Sequence, residues 1–505
     1  MDSSQQRRCT SCGSTLSRYN AGAKCGPCQR DLRIAPEFWD DPQVQQAVAT
    51  WDLGTLCRLV RRHTGLPQAA FARIVNSDQS EISRLERGQR TVKDRRKMIQ
   101  WAQVLNFPEE LAGPLPSELE DGESTTYVAQ PPSLAIAAVG PRCLRFPAGQ
   151  SLPGANLPAL VIDADTFYGN ELHLSGSAEL DAWVKAPTRS LVIAKRTIDG
   201  ASRQFAVDAR FAGRAQDRPL RISSAYELDD LTYGILWAVT GFDAALLSDD
   251  AGLHTVLPLT TDTDLDPLAS AVRDEELAAG SLMFIGSQAS AHYILDNRDA
   301  LGEAPLFWTR ERTGEEAATW LFFSHKLDYL RRTAPATPEA RSGTGRAFCI
   351  PPEAVTRSPG YERVMLFLVI ALMESHGITT WITESPDLAE TEGFVLIPQQ
   401  RAVIASWVRA EAVSKLGRTT RRADLRTFAD AVGHAAVHSA TAADAAHGRL
   451  IATADYLGLD WPWLTRRCRQ LASVGTRALA RPRSRLLGLE GLDAACQFIA
   501  AHHVP

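Results

Sequence analysis

The sequence predicts a multidomain chain: a small cysteine-built module, an all-α domain, and a larger remainder of α/β and α+β type. Three observations predict it. Four of the nine cysteines fall in two Cys-x-x-Cys pairs within the first 28 residues. Apolar residues between Leu53 and Leu105 recur at helical spacing. Beyond a stretch rich in Pro and acids, from Gly113 to Pro132, the pattern changes to short apolar runs of strand type mixed with helical segments. Length agrees, since 505 residues exceed one core and domains of about 100–200 residues are usual.

Bulk composition narrows the class. With 45% hydrophobic and 22% charged residues the chain is globular, not collagen-like or disordered. The longest apolar run, Val364 to Met373, is ten residues, short of the roughly 18 a membrane span needs. The N-terminus carries Arg7 and Arg8 but no apolar signal segment. A cytoplasmic protein with no membrane partner is therefore expected, in a reducing compartment where disulfides are disfavoured. Net charge is −5, unevenly placed. Between Arg58 and Lys97 eleven Lys/Arg face four acids, a local +7 that leaves −12 for the rest. A basic module on an acidic body suits a nucleic-acid reader joined to a separate sensor.

The cysteine module comes first. Cys9-Thr-Ser-Cys12 and Cys25-Gly-Pro-Cys28 are twelve residues apart. Each pair makes a tight turn that aims two thiolates at one ion, and two turns complete a tetrahedral four-cysteine site suited to one structural Zn2+. Gly13 and Gly26 ease the turns. So short a zinc ribbon buries little core, and the metal would supply its folding energy. An iron site, a redox pair or a disulfide pair are the alternatives. Cys57, Cys143, Cys349, Cys468 and Cys496 are scattered singly and read as core packing.

The all-α domain follows. Leu53, Leu56, Cys57 and Val60 mark a first helix that Gly65 breaks. Pro67 or Gln68 opens a second, which buries Phe71, Ala72, Ile74 and Val75 and closes at Asn76. Ser77 or Asp78 caps a third from Gln79 to Glu86, with Ile82 and Leu85 inward and Gly88 at its end. Two short helices joined by a tight turn form a helix-turn-helix. Met98 to Leu105 is a closing amphipathic helix.

The segment Gln68-Ala-Ala-Phe-Ala-Arg-Ile-Val-Asn-Ser-Asp-Gln-Ser-Glu-Ile-Ser-Arg-Leu-Glu-Arg-Gly88 resembles the Cro/repressor-type, or xenobiotic-response-element, helix-turn-helix family. The resemblance spans about sixty residues, Leu53 to roughly Pro114. Asn76 stands where that family usually has Gly, and Asn tolerates the same geometry. The resemblance implies double-stranded DNA as partner, Gln68 on a phosphate, and Asp78, Gln79, Ser80 and Arg84 facing the major groove. The chemistry agrees: Gln79 pairs with adenine and Arg84 with guanine, each bidentately. Ser80 bonds a base or a phosphate. Asp78 accepts from cytosine or caps the helix, capping being favoured. Arg87, Arg90 and Lys93 meet phosphate. The Ala/Arg-rich chain with such a reading head is also similar to regulators of high-GC bacteria, which implies a bacterial, nucleoid-associated protein.

The remainder is less legible. Leu160-Val-Ile, Leu191-Val-Ile-Ala and 204–211 read as strands, and Leu231 to Leu247 as a buried helix. Ser281 to Ser287 reads as a buried strand with a glycine turn and a helix from Ala289, which is either a ligand-binding arrangement or an ordinary turn. Trp308, Arg310, Glu311, Glu315, Glu316 and Trp320 form the densest polar-aromatic cluster. It is either a ligand pocket (Trp308, Arg310, Glu311, Glu315, Trp320) or an ion-pair network. Ser287, Ser290, His292 and His325 invite a hydrolase reading, but no Gly-x-Ser-x-Gly elbow accompanies them. Tyr361 to Ser375 reads as a helix; 379–383, 393–397 and 402–408 read as strands, the last two a hairpin. The tail from Arg421 is helical, and 450–475 is a helical cap, a dimer surface or a second DNA contact.

The boundaries expected are 1–35, the zinc module; 36–114, the helix-turn-helix domain; 115–132, a linker; 133–345, an α/β sensor domain; and 346–505, an α+β to helical sensor or dimerisation domain. The function expected is transcriptional regulation, by a homodimer on two half-sites, with a small-molecule or protein effector. No catalytic residue is assigned, since no complete catalytic motif is present. A DNA-targeted hydrolytic or nucleotide-processing enzyme and a DNA-bound scaffold are the alternatives.

Overall fold

The computed structural model describes residues 34, 38–39, 41–49, 52–64, 66, 68–75, 77–87, 101, 105 and 139–502, the last range with gaps at 186–188, 199, 213–219, 263–264, 298–303, 338–339, 341–342 and 411–412. The chain forms two compact units, Met1–Asp121 and Gly122–Pro505. Cys9, Cys12, Cys25 and Cys28 lie outside the described residues, as do Arg90 and Lys93.

The first unit is helical where described: α1 (Pro42–Ala49), α2 (Leu53–Thr64), α3 (Gln68–Ile74) and α4 (Gln79–Glu86). Helix α1, with Phe38 and Trp39 ahead of it, was not expected from the sequence. Asp52 starts α2, its carboxylate accepting from the Thr55 backbone N–H at 3.0 Å. Leu56, Cys57, Val60, Phe71, Val75, Ile82 and Leu85 share one core. Trp101 and Leu105 join it, and the Phe71 and Trp101 rings meet edge to face at 6.3 Å. Gly54 permits the tightest approach, because a Cβ there would stand 2.3 Å from the Leu85 carbonyl oxygen.

The second unit opens with β1 (Gly140–Phe146), β2 (Ala155–Asp163), β3 (Thr166–Tyr168), β4 (Glu171–Leu174), α5 (Ala178–Val184), β5 (Leu191–Ile198), β6 (Ala201–Asp208), α6 (Ala209–Ala212) and β7 (Leu220–Ser223). One sheet has the order β1-β2-β5-β6 and a smaller one β3-β4-β7. Leu191-Val-Ile-Ala is buried throughout, as suits a strand covered on both faces. Helices α7 (Asp230–Ser248), α8 (Asp250–Val256), α9 (Asp266–Glu275) and α10 (Ala279–Asp296) follow. An Asp229–Thr232 capping box starts α7. This helix is long and apolar enough to cross a membrane, but 78% of its apolar window is buried within the protein.

Helix α10 corrects the sequence reading of 281–287 as a strand. Short apolar runs do not separate strand from helix by periodicity. Gly286, taken for a turn, is a packing glycine: a Cβ there would lie 2.4 Å from the Val413 carbonyl oxygen and 3.1 Å from Trp407 Cβ.

Next come β8 (Leu306–Thr309), α11 (Gly314–Phe322), α12 (Ser324–Thr333), β9 (Gly345–Cys349), α13 (Pro352–Arg357), α14 (Gly360–Ser375), β10 (Thr379–Thr383), β11 (Phe394–Ile397), β12 (Arg401–Ser406) and β13 (Lys415–Thr419). The chain ends in α15 (Arg422–Val437), α16 (Ala446–Tyr456), α17 (Trp461–Val474) and α18 (Glu490–Ala501). The strands form a six-stranded sheet of order β10-β9-β8-β11-β12-β13. Strand β9 pairs in parallel with both β8 and β10. The boundary expected at 345/346 therefore cuts through a sheet, and one core runs from Leu144 to Ile499. Alternation gives this sheet two faces. Phe307, Phe348, Val395 and Val403 join the main core, while Trp308, Ala347, Phe394 and Leu396 pack with Leu425, Val432 and Ala435 of α15.

Two smaller corrections follow. Cys143 is exposed, whereas Cys57, Cys349, Cys468 and Cys496 are buried. On α17 Arg467 turns inward to pair with Asp229, and Trp463 is buried, so of the readings of 450–475 these two side chains serve the interior of a helical cap and not a DNA contact.

Candidate nucleic-acid interface and a buried cationic cavity

In the first unit, α4 buries Ile82 and Leu85 and leaves Asp78, Gln79, Ser80, Arg84 and Arg87 exposed. At about 100° per residue, Gln79, Ser80, Ser83, Arg84 and Arg87 fall within an arc of about 140°, opposite the two buried residues. The face is polar and basic. Arg84 has no hydrogen bond or ion pair among the described residues. Arg87 folds back on its helix, donating to the Ser83 carbonyl oxygen (3.0 Å) and to Ser83 Oγ (2.9 Å).

The structure corrects the capping role of Asp78 and gives Gln68 a partner within the unit. Asp78 occupies the N-cap position of α4, but its side chain makes no capping bond. The neighbouring Ser77 hydroxyl instead donates to Glu81 Oε2 at 2.6 Å. Gln68, expected on phosphate, donates from Nε2 to Glu86 Oε2 at 2.7 Å. Glu86 also accepts Arg61 Nη1 at 2.7 and 2.9 Å. One carboxylate thus fastens α2 and α3 to α4 and holds the exposed face in place.

The second unit contains a cavity of about 60 Å³ against the main-core face of the six-stranded sheet. Of the five residues expected in a pocket, Trp308, Arg310, Glu311 and Trp320 line it. Trp308 also packs away from it, its indole stacking on Phe394 at 6.1 Å in the core beneath α15. Glu315 is elsewhere, its buried carboxylate accepting the backbone N–H groups of Gln150 (2.9 Å), Ser151 (3.0 Å) and Leu152 (2.5 Å). Burial pushes the Glu315 carboxyl up, against those three hydrogen bonds. The choice between pocket and ion-pair network dissolves, because the network forms the pocket's polar wall.

That wall holds two cations absent from the sequence prediction, Lys326 on α12 and Arg346 on β9. Both are buried, at 3% and 4% exposure. Lys326 Nζ donates to Glu311 Oε1 (3.0 Å) and Thr319 Oγ1 (2.9 Å), and lies 4.2 Å from the Trp320 ring and 4.5 Å from that of Trp407. Burial pulls its pKa down to about 8, against the pull of Glu311. Burial acts to raise Glu311, but the Lys326 charge and hydrogen bond outweigh it and hold the carboxyl below its usual range.

Arg346 is register partner to Phe307, and its guanidinium lies 4.4 Å from that ring and 4.9 Å from Trp320. Nη1 donates to Thr309 Oγ1 at 2.8 Å. Nε and Nη2 are buried with no hydrogen-bond partner, and Arg346 makes no ion pair among the described residues. Arg310 is served by Glu390 and Glu392 at the rim. Inside, Lys326 and Arg346 face one acid, Glu311, an excess of one positive charge. A lone Arg within the buried run Gly345-Arg-Ala-Phe-Cys was the available signal, since an arginine in the interior needs a partner.

The hydrolase candidates separate. Ser287 Oγ lies 2.8 Å from His325 Nε2 and donates to the Phe284 carbonyl oxygen at 3.0 Å. The Ser287 hydroxyl has both the Phe284 carbonyl oxygen and His325 Nε2 within reach, and the histidine tautomer sets which of them it donates to. His325 Nδ1 is buried without a partner among the described residues, so no orienting acid completes a triad. Ser290 contacts Ser414 at 2.7 Å, and His292 Nδ1 lies 3.3 Å from the Thr260 carbonyl oxygen.

Among the described residues no group of three or more His, Cys, Asp and Glu could hold a metal ion. No protein family, curated protein or solved structure matches the chain.

Proposed function

We propose that the chain is a sequence-specific DNA-binding transcriptional regulator whose large second unit senses an effector and sets dimerisation. The observation that carries this reading is the single exposed face of α4, where Gln79, Ser80, Arg84 and Arg87 stand together opposite Ile82 and Leu85. An amide and a guanidinium on one rigid helix face match the donor and acceptor pattern of the major groove. The local +7 charge between Arg58 and Lys97 supplies the sequence-independent attraction to phosphate. Cys9, Cys12, Cys25 and Cys28 hold a structural zinc ahead of this reader.

Selection from a random duplex pool with full-length, zinc-loaded protein at physiological salt tests the reading. A two-fold symmetric enriched motif is the expected result, and a pool left unenriched in both the presence and absence of effector overturns it. Chelation should release one zinc per chain; a chain that carries no metal as purified removes the zinc assignment.

A further inference from the structure

The excess charge in the second unit has a geometry. Nε and Nη2 form one edge of the planar Arg346 guanidinium, with parallel N–H donors directed the same way. That edge is the fork that takes a carboxylate or phosphate through two hydrogen bonds. Here both nitrogens are buried and unpartnered, while Nη1 is anchored on Thr309. Thr309 and the ring of Phe307 hold the plane of the fork, so it is oriented before any ligand arrives.

A buried cation without a counter-charge is costly, and proteins meet that cost with a partner or a ligand. Glu311 is occupied by Lys326 and by the Trp320 indole N–H at 2.9 Å. The remaining walls carry the hydroxyls of Ser287, Ser290, Ser406 and Tyr329, the last beside Arg346, and the rings of Trp320 and Trp407, 4.2 and 4.5 Å from Lys326 Nζ. Most lining residues are buried; Ala405 and Trp407 are partly exposed, so the cavity meets the surface beside β12.

We propose that this cavity binds a small aliphatic carboxylate of two or three carbons, its carboxylate on the Nε and Nη2 edge of Arg346 beside Lys326, and its short apolar end toward the rings of Trp320 and Trp407. As an effector site it rests on the regulator reading above. The anion neutralises the charge that the protein leaves unpaired, and the volume admits few atoms, which excludes nucleotides and peptides.

The test uses the full-length chain and three probes, acetate, propionate and inorganic phosphate, followed by calorimetric titration and thermal shift. Acetate or propionate should bind saturably and raise the Tm. Arg346→Met should lower that affinity at least about 100-fold, and Arg346→Lys, which keeps the charge but loses the fork, about 10-fold. Without probe, Arg346→Met should melt no lower than the parent, because a buried unpaired charge has been replaced by an apolar chain. A purely structural Arg346 would instead give a lower Tm. The Arg346→Lys titration keeps the idea testable should Arg346→Met fail to fold. Binding of phosphate alone, equal carboxylate binding by parent and Arg346→Lys, or no binding of any probe overturns the proposal. Duplex selection on the same samples separates the two readings. Carboxylate binding with no selected duplex keeps the site and sinks the regulator. A selected duplex with no probe bound does the reverse.

Discussion

Lys326 and Glu311 meet at 3.0 Å in the interior, and the Glu311 oxygen that accepts the ammonium also accepts the Trp320 indole N–H. Two elements, the loop after β8 and helix α12, are joined by this pair. Because Arg346 stands close by without its own acid, Glu311 is the one buried anion among two buried cations. Glu311→Gln should therefore destabilise the second unit by about 3–5 kcal/mol, the usual cost of breaking a buried pair from one side. The midpoint of guanidinium unfolding at pH 7 measures it. A loss below about 1 kcal/mol would mean that solvent reaches the cluster and screens it.

His325 sets an acid limit on the same region. Burial, then the neighbouring Lys326 charge, then His292, drive its pKa well below the usual histidine value. Its ring lies 4.7 Å from Phe284 and 5.8 Å from Phe323. The folded state thus keeps it neutral while the unfolded chain binds a proton below about pH 6.5. The unfolded state binds more protons there, so stability falls as pH drops, by up to about 1.4 kcal/mol per pH unit for this one group. His325→Phe, with Ser287 still bonded to the Phe284 carbonyl oxygen, should flatten the decline in Tm between pH 6.5 and 5. An unchanged slope would assign the acid sensitivity to other groups.

The sequence was legible where periodicity and capping act locally. Leu53, Leu56 and Val60 placed α2, and Phe71, Ile82 and Leu85 placed α3 and α4, because one buried stripe per helix decides each. The central strand at Leu191 and the buried stretch Val364 to Met373 of helix α14 were visible as unbroken apolar runs. Long-range pairing was not. Strand β9 lies between β8 and β10, whose starts are 73 residues apart, and nothing local in Gly345-Arg-Ala-Phe-Cys says so. The cavity failed to show for the same reason. Arg310, Glu311 and Trp320 are neighbours in sequence, but Lys326, Arg346 and Trp407 reach them only through the sheet. Glu315 shows the converse error, since adjacency in sequence put it in a pocket while its carboxylate binds residues 150–152.

Gly286 provides a test in which two effects oppose. Within helix α10, Gly286→Ala gains about 1 kcal/mol of intrinsic helix stability. The new Cβ, however, meets the Val413 carbonyl oxygen at 2.4 Å, a backbone atom that cannot rotate away. Crowding of this kind costs typically about 1–3 kcal/mol. The sign of the measured change decides which wins, and a net loss in thermal stability is expected. Because the new Cβ also stands 3.1 Å from Trp407 Cβ, and Trp407 lines the cavity, propionate affinity should fall with it.

On α4 the two arginines should differ in kind, although both are exposed and three residues apart. Arg84 stands free on the face opposite Ile82 and Leu85, where a bidentate contact to one guanine reads sequence. Arg87 lies one turn on, at the helix end, tied loosely to Ser83, and is placed for the phosphate chain. Arg84→Ala should relax preference at one base position by about 1–3 kcal/mol and leave binding to unrelated duplexes nearly unchanged. Arg87→Ala should weaken every duplex alike and reduce the slope of log affinity against log salt by about 1. Fluorescence anisotropy on the selected duplex, its single-base variants and a scrambled duplex, over a salt series, separates these outcomes. Glu86→Ala supplies the control on geometry: it removes the carboxylate that binds both Arg61 and Gln68, so specific binding should fall while the protein keeps every proposed DNA contact. If Arg84→Ala and Arg87→Ala bind all duplexes as the parent does, the face of α4 is not the reading surface, however well it is formed.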